Sequence, residues 1–150
     1  MHFIYTIGYE GASLGALLRA LEGNSIERVI DVRYVAISRR PEFSKGPLRR
    51  ALRAKGIAYT HRPQLGCPKD IRSRYRENGD FAWYSRRYTE QVLAQRQRQL
   101  TEVARDARNQ RVCLLCVEAD AHRCHRSLVA ASSAGINRNV FGFRHLLAPC

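Results

Sequence analysis

Two hydrophobic periods alternate along the chain. Phe3 to Ile7 is a short apolar run closed by Gly8, the pattern of a strand. Leu14, Leu17, Leu18 and Leu21 then recur at helical spacing, with Ser13 placed to cap that helix and Gly23 to stop it. Arg28 to Val32 reads as a second strand. Ser44 is placed to cap a second helix, with Pro47 in its first turn, Leu48, Ala51 and Leu52 on its inner face, and Gly56 past its end. Ile57 to His61 reads as a third strand. The stretch from Arg62 to Asp80 is rich in Pro, Gly and charge and predicts a long loop, a common carrier of binding function. Ser85 to Asn109 predicts one long helix with Tyr88, Val92, Leu100, Val103 and Ala107 inward. Arg111 to Val117 is nearly continuous apolar sequence, typical of a strand buried on both faces. Cys124 to Ala134 predicts a helix ended by Gly135, and Val140 to Phe143 a last short strand.

Strands separated by helices predict an α/β fold: a single compact domain over residues 1–150, with a mainly parallel sheet and helices on both faces. The length of 150 residues suits one domain, since domains cluster near about 100–150 residues. In such sheets, ligands bind outside the carboxyl ends of the strands.

Charge adds a second constraint. Lys and Arg total 26 against 13 acids, a formal net charge of +13, and only Lys45, Lys55 and Lys69 are lysines. Arg grips phosphate in a planar fork and stacks on bases, whereas Lys is a point charge. The expected partner is therefore a polyanion: DNA, RNA or a phosphorylated nucleotide. Apolar runs fall far short of the roughly 20 residues of a membrane span, so no membrane partner is expected. The first ten residues lack a secretory pattern. Five cysteines, an odd number, then predict reduced thiols in a cytoplasmic protein rather than a disulfide framework.

If the strand assignments hold, polar residues gather on one rim of the sheet. Tyr9 and Glu10 follow the first strand, Asp31 and Arg33 end the second, His61 ends the third, and Glu118 follows the fourth. Glu118, Asp31 and Glu10 are candidate general bases, and His125 or His61 a candidate acid. Tyr9, Arg33, Ser38, Arg39, His61, Arg126 and Cys124 are candidate substrate or phosphate contacts. Cys124, His125 and Arg126 open a helix, whose N-terminal N–H groups attract anions, and Cys124 there is a candidate low-pKa nucleophile. The plainer reading of each residue is structural: Asp31 pairs with Arg33, His61 is a hydrogen-bonded structural histidine, and Cys124 is a small buried residue. Cys113, Cys116, Cys124 and His125 also resemble a zinc set, but an offset of three on a strand sends Cys113 and Cys116 to opposite faces. No metal ligand and no cofactor are therefore assigned, and a divalent ion on Glu10, Asp31 and Glu118 is kept as a rival.

Two basic patches stand out. Arg39 to Arg62 holds eight bases, Arg49, Arg50 and Arg53 among them, against the single acid Glu42. Lys69 to Arg76 adds Arg72, Arg74 and Arg76 beside Tyr75, Phe81, Trp83 and Tyr84. Bases interleaved with aromatics suit a single-stranded or flipped-base contact, while packing of Trp83 and its neighbours on the core explains the aromatics equally well.

Four blocks in order resemble the bacterial and archaeal family known as domain of unknown function 488. They are Thr6-Ile7-Gly8-Tyr9-Glu10; Asp31-Val32-Arg33 with Ser38-Arg39 and Pro41 to Lys45; Gly56 to Tyr59 with Leu65-Gly66; and Leu115 to Glu118 with Cys124-His125-Arg126. The chain departs from that family at Ala36, where Pro is usual, and at Cys67, where a second Gly is usual. The family often lacks a cysteine at Cys113. The resemblance implies a compact α/β domain with these motif residues gathered, and it implies no reaction.

The residues themselves point first to a hydrolase on nucleic acid or nucleotides. One form is a DNA-repair-type N-glycosylase, with a carboxylate activating water and Tyr9, Tyr34 or Trp83 stacking on an extruded base. The alternatives are a non-catalytic nucleic-acid-binding or regulatory module, which needs the arginines and not the acids, and rhodanese-like chemistry on Cys116 or Cys124.

Overall fold

Five of the apolar runs become strands, and all five pair in parallel. The computed structural model describes residues 2–136 and 140–148. The strands are β1 (His2–Gly8), β2 (Arg28–Asp31), β3 (Ala58–His61), β4 (Val112–Cys116) and β5 (Val140–His145), in spatial order β3-β2-β4-β1-β5. Among the described residues the helices are α1 (Leu14–Gly23), α2 (Lys45–Ala54), α3 (Lys69–Asn78), α4 (Phe81–Gln91), α5 (Gln97–Asn109) and α6 (His125–Ile136). None is long and apolar enough to cross a membrane.

Alternation along β1 and β4 divides the core into two layers. Tyr5, Ile7, Cys113 and Leu115 pack under Leu17 and Leu21 of α1 and Leu48 and Leu52 of α2. Ile4, Val112, Leu114 and Cys116 face the other way, under Ile71 of α3, Tyr88 of α4, Val103 of α5 and Val129 of α6. Helices therefore cover both faces, and Cys113 and Cys116 do lie on opposite ones.

Three local expectations change. The expected loop from Arg62 to Asp80 contains α3, preceded by a 3-10 turn at Pro63–Leu65. Its charged sequence hides the period, because only Ile71 of α3 is fully buried; Gly79, in the left-handed region at φ 63°, ends it. The single long helix is broken. α4 starts four residues early, where Asp80 accepts a hydrogen bond from the Trp83 amide (3.0 Å), and a 3-10 turn at Leu93–Gln95 separates it from α5. An unbroken helix would carry the inward stripe from Tyr88 and Val92 onto Arg96. The break lets Val92, Leu93 and Leu100 all face the core. Finally, Gly135 lies within α6 rather than ending it, and residues 137–139 beyond are outside the described set.

The two caps differ. Ser13 Oγ accepts the Ala16 amide hydrogen bond at 3.0 Å, as expected. Ser44 precedes α2 without capping it; its Oγ instead accepts from the Ser38 amide at 3.0 Å, closing the Ser38–Ser44 loop.

Candidate active site

The topology creates one crevice that the strand ends alone do not. After β1 the chain turns to α1 on one face, and after the neighbouring β4 it turns to α6 on the other. Adjacent strands whose connections part to opposite faces leave a gap at their carboxyl ends. Here the two exits are tied across it: the Tyr9 amide donates to Cys116 O (3.3 Å), the Glu10 amide to Val117 O (2.8 Å), and the Ala119 amide to Glu10 Oε1 (3.2 Å).

Gly8 permits this approach. A Cβ on Gly8 would overlap the Glu118 carbonyl and come within 3.0 Å of Arg126 Nη1. The first obstacle is backbone and cannot rotate away. Gly8→Ala is expected to lower unfolding free energy by about 1–3 kcal/mol through overpacking. Urea denaturation reads this, and a variant as stable as the parent would show that the loop yields freely.

Arg126 fixes the far side. It has no solvent exposure, and its guanidinium donates to Thr6 Oγ1 (3.2 Å), to the Glu118 carbonyl and to Ala119 O (3.2 Å). Its donors hold the loop that carries Glu118, so it is a positioning residue and not the phosphate contact expected from sequence.

Glu118 itself is half-buried and lines a cleft of about 490 Å³. Arg72, Arg76 and Arg123 line the same cleft, as do Tyr75 and Tyr84. Burial, then the Cys124 sulfur, pushes its carboxyl up to about 7. The cleft continues past Glu10, Arg76 and Val117 into a second recess of about 640 Å³ lined by Tyr9, Ser38 and Arg39. Both volumes suit a small organic ligand. The Nε of Arg72 is buried with no hydrogen-bond partner among the described residues.

The other acidic candidates have different surroundings. Asp31 is fully buried. Its Oδ2 accepts from Arg33 Nη2 (2.7 Å) and Tyr59 OH (2.5 Å), and its Oδ1 from Arg33 Nε (2.9 Å) and the Arg33 amide (3.1 Å). Arg33 also donates to Tyr9 OH (3.1 Å). Burial works against the Arg33 cation, but Asp31 outweighs it and holds Arg33 above its ordinary value. Tyr59 is pushed up by burial and then by Asp31. Asp31 and Arg33 therefore neutralise each other inside the fold; neither is free to serve as base or phosphate contact. Glu10, Asp31 and Glu118 do not form a shared metal set either. Among the described residues the one group of three ligand-type side chains within ion-sharing reach is Cys116, Cys124 and His125.

The histidines are engaged as well. His61 Nε2 donates to Arg33 O (2.8 Å), which braces the β2 exit. His125 is 4 % exposed, and its Nε2 donates to Val32 O (2.7 Å). Its Nδ1 lies 3.9 Å from Cys116 Sγ and 3.8 Å from Cys124 Sγ, so it faces sulfur rather than a substrate proton. Cys116 in turn donates to Glu118 Oε2 (3.5 Å). Burial opposes ionisation of Cys124, but the adjoining Cys116 thiol and the His125 and Arg126 charges outweigh it and hold the thiol below its ordinary value.

The basic patches separate. Arg49 and Arg53 of α2 line a different recess of about 390 Å³ beside Tyr59, and Arg50 is exposed on the same helix. Of the second patch, Arg72 and Arg76 enter the cleft. Arg74 sits 6.0 Å from the Trp83 ring, and Trp83 packs against the core, the plainer of its two readings. Sequence reasoning missed Arg40, which donates to Ala12 O (2.6 Å) and Tyr9 O (3.0 Å) and lies over the Phe43 ring, and it missed Arg123. The adjacent Arg39 drew attention as a motif residue, whereas nothing in the local pattern marks Arg40 as the one turned inward.

No curated protein and no solved structure matches the chain. The family described as Domain of unknown function DUF488 matches residues 13–132. The Thr6 to Glu10 block precedes that span; the Asp31, Leu65-Gly66 and Cys116-to-Arg126 blocks fall inside it. The span runs from α1 into α6 and takes in both β4 and the Glu118 loop, so the chain belongs to the DUF488 family.

Proposed function

We propose that the protein is a hydrolase acting on nucleic acid or a nucleotide in the Glu118 cleft. The observation that carries this reading is a half-buried carboxylate in a cleft that Arg72, Arg76 and Arg123 also line. An anionic substrate is drawn to the arginines, and Glu118 then lies where a proton must be taken from water or given to a leaving group. Tyr75, half-buried, offers aromatic surface in the same cleft. The apolar loop residues Tyr34, Val35 and Ile37, 48 %, 51 % and 76 % exposed, stand beside Arg39 and suit contact with unstacked bases.

The test is binding and turnover on labelled single-stranded, duplex, abasic and alkylated DNA, and on RNA, at two salt concentrations. Arg72→Ala and Arg76→Ala are each expected to weaken binding on all sequences and to reduce the salt slope by about one. Product that disappears in Glu118→Gln supports the hydrolase. Salt-sensitive binding without product on any substrate replaces it with a binding module. No binding at low salt removes the nucleic-acid reading altogether.

A further inference from the structure

Behind Glu118 lies a cluster that the cleft reading does not use. Cys116 ends β4, while Cys124 and His125 lie at the start of α6. The chain brings these three side chains together from both ends of the Val117–Arg123 loop, and their ligand atoms all lie within 4.8 Å of one another. All three are buried, and neither sulfur is in a disulfide.

We infer that Cys116, Cys124 and His125 form a binding site for a thiophilic divalent transition ion of the zinc class. Three features of the geometry lead there. The first is the orientation of the ring. A backbone carbonyl only accepts, so Nε2, 2.7 Å from Val32 O, carries a hydrogen, and Nδ1 alone is left for the sulfurs. Donation of the distal ring N–H to a carbonyl is how metal-bound histidines are held. The second is spacing. The two Nδ1–sulfur separations, 3.8 and 3.9 Å, are long for a hydrogen bond, and one ring nitrogen cannot serve two thiols at once. A tetrahedral ion about 2.3 Å from sulfur and about 2.0 Å from nitrogen sets such atoms about 3.5 Å apart, close to what is seen.

The third feature is the donor set. Two thiolates and an imidazole favour zinc or cobalt over magnesium or calcium. Ion binding releases the protons that the two sulfurs and Nδ1 hold between them, and no redox partner is needed. Three protein ligands leave a fourth position for water, the arrangement of catalytic rather than closed structural zinc. Glu118, whose Oε2 lies 3.5 Å from Cys116 Sγ, adjoins the cluster and opens to the cleft. Cys113, on the other sheet face, takes no part.

The ion site stands independently of the substrate: the chain can hold metal whatever it acts on. The experiment measures the metal content of the full chain after growth with zinc, then titrates the chelator-stripped, reduced protein with Co(II). One equivalent of zinc per chain is expected, with a thiolate-to-cobalt absorption band and the visible bands of a tetrahedral site. Cys116→Ser, Cys124→Ser and His125→Gln are each expected to weaken cobalt binding at least tenfold, the roughly 10–100-fold cost of a lost outer-shell partner being the lower bound. Cys113→Ser is expected to leave binding and spectrum unchanged. X-ray absorption on the unaltered zinc-loaded chain needs no variant and should show two sulfur neighbours at about 2.3 Å. A chain that binds no stoichiometric ion, or an ion shell without sulfur, overturns the inference. Cobalt binding that survives in both Cys116→Ser and Cys124→Ser does so too.

Discussion

Asp31→Ala is expected to destabilise the protein by about 3–5 kcal/mol, the usual cost of removing one partner from a buried ion pair. Asp31 has no solvent exposure and Arg33 only 3 %. Without the carboxylate, the Arg33 cation keeps its bond to Tyr9 OH but loses its counter-charge, and the Tyr59 hydroxyl loses its acceptor. No water replaces them in a closed site, so the penalty is that of an uncompensated charge, beyond one lost hydrogen bond. The double variant Asp31→Ala with Arg33→Met should recover much of the loss, because both charges leave together. Urea denaturation of the four chains in this cycle measures the coupling. Loss in the single variant below about 1 kcal/mol, the scale of an exposed pair, would mean the network is wetter than the structure has it.

Glu118→Gln is expected to lower turnover roughly 10²–10⁴-fold, the range that a positioned proton-transfer group supplies. The exchange preserves size and leaves an oxygen for the Cys116 thiol, so unfolding free energy should stay within about 1 kcal/mol of the parent. Binding should hold or tighten slightly, since one negative charge leaves a cleft framed by three arginines. That split, kcat lost with affinity kept, separates a group acting in the reaction from one that merely shapes the cleft. Turnover at the parental rate in a folded variant would remove Glu118 from the chemistry. Glu10→Gln serves as the comparison: Glu10 is exposed and its carboxylate ties down the Ala119 amide, so a smaller effect, mainly on substrate binding, is expected.

The two acids carry nearly the same local signature in sequence, each at a strand end with an arginine nearby. Asp31 is followed two residues later by Arg33, close enough for a closed pair within one loop. Glu118 has Arg126 eight residues away, and that guanidinium takes the backbone carbonyl and leaves the carboxylate without an ion pair among the described residues. Rim position was therefore legible, whereas which carboxylate remains available depends on where each guanidinium reaches.

The cysteines show the same limit from another side. Strand alternation alone separates Cys113 from Cys116, and the structure agrees. Without Cys113 the Cys-x-x-Cys pair is lost, and the three residues that remain carry no metal-ligand spacing of their own in sequence. Only the return of α6 across the end of β4 places Cys124 and His125 against Cys116, and no spacing rule encodes that contact.

Local chemistry determined most of the framework. Hydrophobic period gave the strands, α1, α2 and α6, the parallel α/β class and the inward faces, because burial of a stripe or a pleat depends on residues a few positions apart. It failed where few apolar residues mark a period, as in α3, and where a core demands a break that a smooth stripe conceals, as between α4 and α5. The tertiary structure alone decided the crevice between β1 and β4, the capture of Arg126 and Arg40 by carbonyls far away in sequence, and the gathering of sulfur and imidazole behind Glu118. Those depend on strand order and on which face each crossover takes, and both are set by the packing of the whole sheet.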